Sequence, residues 1–573
     1  MARDGSIDWL CLPDLDSPST FAAILDADRG GAFALGPEPP HAVKRRYLPS
    51  TNVLETTFHA AEGVVRVTDA LTLPGEGLEP HRELVRRVEG VSGSVPMAWR
   101  VEPRFGYGLG PTTVGRRAGV PVASSGRNAL AVCPWDVGQP RVDDRAISGR
   151  FTARSGSRGL VVLAAAHQEP LVFPGRDEVE TRLDHTAQVW RRWAEERAYD
   201  GPWREAVVRS ALTLKLLAYA PSGAIAAAPT TSLPQQVGGE RNWDYRFSWV
   251  RDSVFTLDVF LSLGCFQEAQ AYFWWLMHAS QLTHPRLQVL YRLDGGARAV
   301  ERALPLVGYR RSGPVRVGNA AAHQMQLDTY GELLQTAWLF AGARGALDAD
   351  LARRLAGVAD FVAHTWRQPD AGIWEVRSEP LHFTQSKMMC AIALERAIDL
   401  AERGMVPDRH ASRWREEARA VRDFIETRCW SHRRWSYVRF AGADELDASL
   451  LLGVLFGCGS LDGTRLEATV RAVERELGDG ALIHRYTGKD GLSGSEGAFL
   501  ACSFWLVEAL ARLGHVDEAA ARLEHLLALA NDVGLYSEEI DPATGDFLGN
   551  LPQGLTHLAL VRAALAIAQR EAS

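Results

Sequence analysis

The stretch Ala498–Gln553, AFLACSFWLVEALARLGHVDEAAARLEHLLALANDVGLYSEEIDPATGDFLGNLPQ, carries the plan of the larger part of the chain. Apolar residues recur at helical spacing through Ala498–Leu513 and again through Val516–Ala530, with only Gly514-His515 between. A glycine directly after a helical run suits a left-handed C′ position. The next connection, Asn531–Leu551, is long and rich in turn chemistry, with Asp541-Pro542 and Thr544-Gly545-Asp546. Pro552 then stands where another helix is expected to begin, a position that tolerates its missing N–H.

Worked outward, this alternation of short and long connections returns. Trp203–Tyr219, Ser253–Leu263, Phe266–Ala279, Thr329–Phe340, Ala349–His364 and Gln385–Glu402 read as helices. So do Arg409–Cys429, Leu446–Phe456, Thr464–Leu477 and Pro552–Gln569, which makes twelve with the two above. Long connections are Ala220–Asp252, Gln281–Asp328, Gln368–Thr384, Trp430–Glu445, Gly478–Gly497 and Asn531–Leu551. One follows every second helix, so all six are expected to open at one end. That favours a closed double ring of six inner and six outer helices over an α-solenoid, with a funnel at the loop end. Many of these helices are apolar on more than one side, as inner helices should be.

The first part of the chain has another period. Val53–Phe58, Val64–Leu71, Leu84–Val88, Met97–Val101, Ala129–Cys133, Ala146–Ala153 and Leu160–Ala164 read as short strands. Gly/Ser/Pro clusters such as Val91–Pro96 and Ser155–Gly159 are expected to separate them, which suggests a sandwich. The chain reaches Ile7-Asp8-Trp9-Leu10 almost at once, and this opening strand is expected to lack a partner, as if the start were trimmed. Asp177–Glu196 is a polar helical pattern with Val179, Leu183, Val189 and Trp190 on one side, and reads as a connector.

With 573 residues, 46% hydrophobic and 23% charged, the chain has an ordinary globular composition and room for more than one domain. A net charge of -7 leaves no basic surplus for nucleic acid or an anionic membrane. No apolar run is long enough to span a bilayer, and MARDGSIDWL has no signal-peptide pattern. Seven scattered cysteines without a CxxC pair read as reduced thiols of a cytoplasmic protein, not as metal ligands. Self-association into a homo-oligomer is left open.

Several long loops carry residues suited to a sugar. Residues 241–252, RNWDYRFSWVRD, alternate aromatics with charges. Asp252 before a helix is a natural N-cap. Four aromatics in seven residues (Trp243, Tyr245, Phe247, Trp249) exceed what capping requires. The third loop holds GIWEVR at 372–377, the fifth LIHRY at 482–486, the last Ser537-Glu538-Glu539. A lone Trp-Glu pair usually marks only a surface glutamate, and a lone acidic loop is usually just solvated. Together they offer what glycoside cleavage needs, two carboxyl groups in opposite protonation states flanking one bond. Glu375 and Glu538 come from different loops at the same expected mouth. Inverting enzymes hold such a pair roughly 6.5–9.5 Å apart, with room for water. Trp374 beside Glu375 is suited to form the dry wall that an acid of raised pKa requires.

These motifs together resemble glycoside hydrolase family 15, which includes glucoamylases, glucodextranases and bacterial and archaeal trehalases. The resemblance runs from Gly5-Ser-Ile-Asp-Trp-Leu10 through Gly549-Asn-Leu-Pro-Gln553. It implies that Arg251 and Asp252 bind outer hydroxyls of a terminal glucose, that Trp249 lines the pocket, and that Tyr245 contacts the base. It implies Glu375 as general acid, Glu538 as general base, and Arg485 touching the sugar beyond the scissile bond. Glu539 should not share the base's role, since neighbours on an extended segment point apart. The implied fold is α+β and multidomain: an antiparallel β-sandwich over 1–175, a linker helix over 176–200 and an (α/α)6 barrel over 201–573. The implied activity is inverting, exo-acting and independent of metal or cofactor. Leu551, Gly554-Leu555 and Phe247-Ser248 depart from residues common in relatives, which leaves the substrate open. Trehalose and short malto- or isomalto-oligosaccharides are expected before starch. An inverting disaccharide phosphorylase on a similar barrel and a non-catalytic sugar-binding protein are the alternatives.

Overall fold

In the computed structural model, which describes residues 1–74, 81–458, 461–488, 491, 494 and 496–571, Glu83–Val101 is the strand that organises the amino-terminal part. Its first half pairs with Gly63–Leu71 and Arg158–His167, its second with Phe33–Pro37 and Ile147–Arg154, all antiparallel. Through this one strand eleven strands join in a single antiparallel network. The sequence suggested two strands here, divided by the cluster Val91–Pro96. The cluster instead lies inside one strand, at the point where it leaves one ladder for the other. Gly93 takes φ +69° there, beside a bulge at Val64/Val65, so the chain bends without ending its pairing. Phe33, Val67, Val88, Met97, Trp99, Leu130 and Val161, drawn from both ladders, share one core.

The opening segment does have partners, contrary to expectation. Leu10–Cys11 pairs with Ser19–Phe21, and Ile7 bridges to Phe33. The helix α1, Arg176–Glu195, buries Val179, Leu183 and Trp190. Arg182 meets Glu83 at 2.6 Å and the Leu73 N–H donates to Thr186 Oγ1, so α1 is fastened to the strands before it. Met1–Glu196 with Pro305–Arg311 forms one compact unit; Arg197–Leu304 with Ser312–Ser573 forms the other.

The second unit is helical: α2 Arg204–Leu217, α3 Ser253–Ser262, α4 Phe266–Gln281, α5 Asp328–Arg344, α6 Ala349–Thr365 and α7 Thr384–Glu402. Then follow α8 Ala411–Arg428, α9 Leu452–Leu455, α10 Gly463–Leu477, α11 Leu500–Arg512, α12 Val516–Leu527 and α13 Gly554–Glu571. Burial alternates along this series. Leu500–Ala511 of α11 is buried throughout, as is Thr384–Leu394 of α7. By contrast α6 buries a single stripe that includes Leu351, Leu355, Val358 and Val362, and α12 buries only Ala519, Leu523 and Leu526. Contacts follow the same order: α3 packs on α5, α5 on α7, α7 on α9, α9 on α11, α11 on α13, and α13 on α3. The eighth expected helix is only a 3-10 turn, Ala448–Leu451, and the single turn α9. Pro552 does not start α13, which begins two residues later at Gly554.

Candidate active site

The long loops of the helical unit supply one cleft. Gln235, Trp243, Tyr245, Trp249, Trp374, Glu375, Arg377, Arg485 and Tyr486 are among its lining, around an open volume of about 490 Å³. These residues come from the first, third and fifth long connections, and Asn319 and Ala321 add the second. Part of Gly478–Gly497 lies outside the described residues.

Glu375 sits on a tight turn with φ +50°, a left-handed conformation that a glutamate adopts only under constraint. Gln324 supplies that constraint by donating its amide to the carbonyls of Glu375 and Val376, at 3.3 and 3.2 Å. The carboxylate accepts from Trp249 Nε1 at 3.1 Å and Arg251 Nη1 at 3.0 Å. Burial raises the Glu375 carboxyl above its ordinary range, against the pull of Arg251, Arg485 and the Trp249 N–H.

Glu538 is wholly buried. Gln235 Nε2 donates to its Oε1 at 3.0 Å, the Tyr245 hydroxyl hydrogen-bonds to the same carboxyl group, and Oε2 has no protein partner among the described residues. Gly549, at φ +73°, passes so close that a Cβ there would strike Glu538 Oε2. Burial raises Glu538 too, against Arg485, Tyr245 and Gln235, so electrostatics alone do not choose between acid and base. The Tyr245 hydroxyl is pushed well above its usual value by burial, then by the charges of Glu538 and Glu375.

Arg251 binds Asp252 Oδ1 through Nε at 2.9 Å and reaches the Ile373 carbonyl and Glu375 through Nη1. Burial works against its charge, but Asp252 and Glu375 outweigh it and hold its pKa above the ordinary value. Asp252 precedes α3 without making a side-chain capping bond. The capping reading of this residue therefore fails. Trp374 packs against Phe499 and Trp505 and donates Nε1 to Asp447 at 2.9 Å, so its ring is fixed beside Glu375. Arg485 is bound to Glu496 and lies 3.6 Å from Glu539 Oε1. Glu539 Oε2 accepts from the Gly497 N–H, a different partner from any that Glu538 uses.

The residues 201–565 match the family model described as Glycosyl hydrolases family 15, and residues 1–146 match the one described as Trehalase-like, N-terminal. The chain belongs to glycosyl hydrolases family 15. It is a glycoside hydrolase. A trehalase from Mycolicibacterium smegmatis is 40% identical, across 99% of this chain and 89% of that protein. A trehalase from Thermoplasma acidophilum is 34% identical, across 98% and 97%. A bacterial glucoamylase solved with acarbose shares the fold at TM-score 0.74, with 14% identity over 99% of this chain and 91% of that one.

Of the eight site residues read from the sequence, Tyr245, Trp249, Trp374, Glu375 and Arg485 line this cleft; Glu538 and Arg251 bond to lining residues, and Asp252 bonds to Arg251. Reading the sequence missed Gln235, the partner of Glu538, and Gln324, which holds the Glu375 turn. It also missed Asp447, Glu496 and Arg241, the last of which joins Glu496 from the far side. A glutamine in a loop carries no pattern; only the fold gives it a partner. Glu301 and Arg316, described below, had no signal either.

Proposed function

We propose that this protein is an inverting, exo-acting hydrolase of trehalose, with Glu375 as general acid and Glu538 as general base. The observation that carries the reading is the pair itself. Glu375, half-buried, and Glu538, wholly buried, come from distant loops, and each has its own donors: Trp249 and Arg251 on the first, Gln235 on the second. Glu375 would protonate the departing glycosidic oxygen, and Glu538 would deprotonate water on the opposite face of the sugar. Gln235 and Tyr245 orient Glu538 and leave Oε2 for that water. Trp249 and Trp374 keep the acid's side dry. Arg251 and Asp252 are positioned to bind the terminal glucose, and Arg485 the ring beyond it.

The named trehalases among the relatives, matched over nearly the whole chain, favour trehalose over malto- or isomalto-oligosaccharides. The closed order of helix neighbours supports an (α/α)6 barrel, and the core shared by two ladders supports a sandwich before it. The seven buried cysteines, none of them in a disulfide, suit a reducing compartment such as the cytoplasm. No described helix is long and apolar enough to cross a membrane.

The test is incubation with trehalose, maltose, isomaltose and panose, following the first-formed anomer by proton NMR. Trehalose is expected to be cleaved fastest, to one α- and one β-glucose. Two α-glucoses at first formation would sink the inverting assignment. Phosphate-dependent release of glucose 1-phosphate would favour a phosphorylase.

A further inference from the structure

Trp243 lines the cleft, yet its ring is packed against guanidinium groups. Arg377 Cζ lies 4.3 Å and Arg316 Cζ 4.6 Å from its ring centroid. Both arginines are gathered by one carboxylate. Glu301 takes Arg377 on both oxygens, at 3.2 and 2.7 Å, and Arg316 Nε at 3.5 Å. Arg316 is itself tied to the carbonyls of Glu240 and Asn242, directly before Trp243. Glu301 Oε2 also accepts the Ala320 N–H. The Trp243 side chain is thus fixed between two loops.

What it connects matters more. Arg377 lies two residues beyond Glu375, on the strained turn that carries the acid. The Trp243 indole N–H donates to Gln235 Oε1 at 3.3 Å, and the Gln235 amide donates to Glu538 Oε1 at 3.0 Å. The Trp243 carbonyl accepts from Asn550 Nδ2, while the Asn550 carbonyl accepts the Glu538 N–H. One tryptophan therefore touches the acid's turn through its ring and the base's surroundings through its indole and backbone.

We propose that Trp243 is the spacer of the acid–base pair, a positioning residue that holds the Glu375 turn and the Gln235-bound Glu538 at a fixed separation. The proposal rests on the acid–base reading above. Inversion needs that separation, because the water must fit between base and sugar while the acid reaches the leaving oxygen. A misplacement of about 1 Å costs on the order of 100-fold in rate.

Two variants address the two arms. Trp243→Phe keeps a ring for the arginines and removes the N–H that orients Gln235. Arg377→Lys keeps the charge and loses the planar, two-pronged hold on Glu301 and the indole. Substrates are trehalose, whose leaving group needs a proton, and α-glucosyl fluoride, whose fluoride leaves without one. Arg377→Lys is expected to lower kcat on trehalose by about 10- to 100-fold and to spare the fluoride. Trp243→Phe is expected to slow both, with KM little changed. Arg377 is one-third exposed (33%), so Arg377→Lys carries the test if Trp243→Phe does not fold. The proposal is overturned if either folded variant turns over trehalose at the wild-type rate, or if Trp243→Phe raises KM with kcat intact. It is also overturned if Arg377→Lys slows the two substrates alike. Glu375→Gln and Glu538→Gln run beside them. Full trehalose turnover in either removes the acid–base reading itself, whereas their inactivity beside an unaffected Trp243→Phe removes only the spacer.

Discussion

Glu538 is wholly buried and Glu375 half-buried, and both carboxyls are raised, so their roles must come from what each is bonded to. The Arg485 charge and the neutral donors Tyr245 and Gln235 all favour the charged form of Glu538. Removing it should therefore act on the transition state: Glu538→Ala is expected to lose several orders of magnitude in kcat with a modest change in KM. Near-normal turnover in that variant, measured on trehalose, takes Glu538 out of the mechanism. For Glu375 the prediction is one of pH. In its proposed role as acid Glu375 must be protonated, so the alkaline limb of kcat should follow its pKa. Trp249 donates to its ionised form at 3.1 Å and thereby pulls that pKa down. Trp249→Phe should move the alkaline limb upward. A limb that stays put, or falls, contradicts the bond's assigned effect. At this scale Glu375 is legible because tryptophan, carboxylate and arginine stand together in residues 374–377, and Glu538 because two carboxylates follow Ser537 in a turn-rich loop that resembles the family's. Gln235 is not, because its partner is contributed by the other end of the chain.

Helices that bury one stripe announce themselves, and Leu351, Leu355, Val358 and Val362 placed α6 to within a residue at each end. Asp348 accepts from the N–H groups of Asp350 and Leu351 at 3.0 and 2.9 Å. Asp348→Ala is expected to cost about 1 kcal/mol in chemical denaturation while leaving kcat on trehalose unchanged. A loss of activity at full stability would mean that α6 reaches the cleft in some way the contacts do not indicate. Elements without such a stripe were harder. The strand His41–Tyr47 carries Lys44, Arg45 and Arg46 and alternates half-buried with exposed positions, as an edge strand defended by charge does. Glycine and serine at the centre of Glu83–Val101 signal a turn in isolation, so its pattern divides into two strands. These residues signal a change of ladder only when both partners are present.

In the helical unit as a whole, the inner helices carry acids where apolar residues would be cheaper. Asp328 and Glu332, one turn apart on α5, are wholly buried, and none of their four carboxyl oxygens has a hydrogen-bond partner among the described residues. Asp370, Arg251 and Glu375 act on Asp328; Asp328, Asp252, Arg251 and Arg562 act on Glu332. Burial, with Asp370 second, pushes Asp328 up to about 7 from an ordinary 3.8. The fold thus keeps a proton that the unfolded chain releases. Below pH 4 both states hold it and the group costs nothing; between about 4 and 7 only the folded state does. Stability is then lost as pH rises, by up to about 1.4 kcal/mol per unit, and levels off above 7. Other groups lean the opposite way: His557, buried and held down to about 3, draws stability from a rising pH as the unfolded histidine gives up its proton. The slope of the whole molecule is a sum, so the informative quantity is a difference. Asp328→Asn cannot ionise. Relative to wild type it should therefore gain stability between pH 5 and pH 8, as read from denaturant midpoints. A wild-type-minus-variant difference that stays constant over that range would mean that Asp328 is already ionised in the fold, and that Arg251 is shared with it more closely than with Glu375.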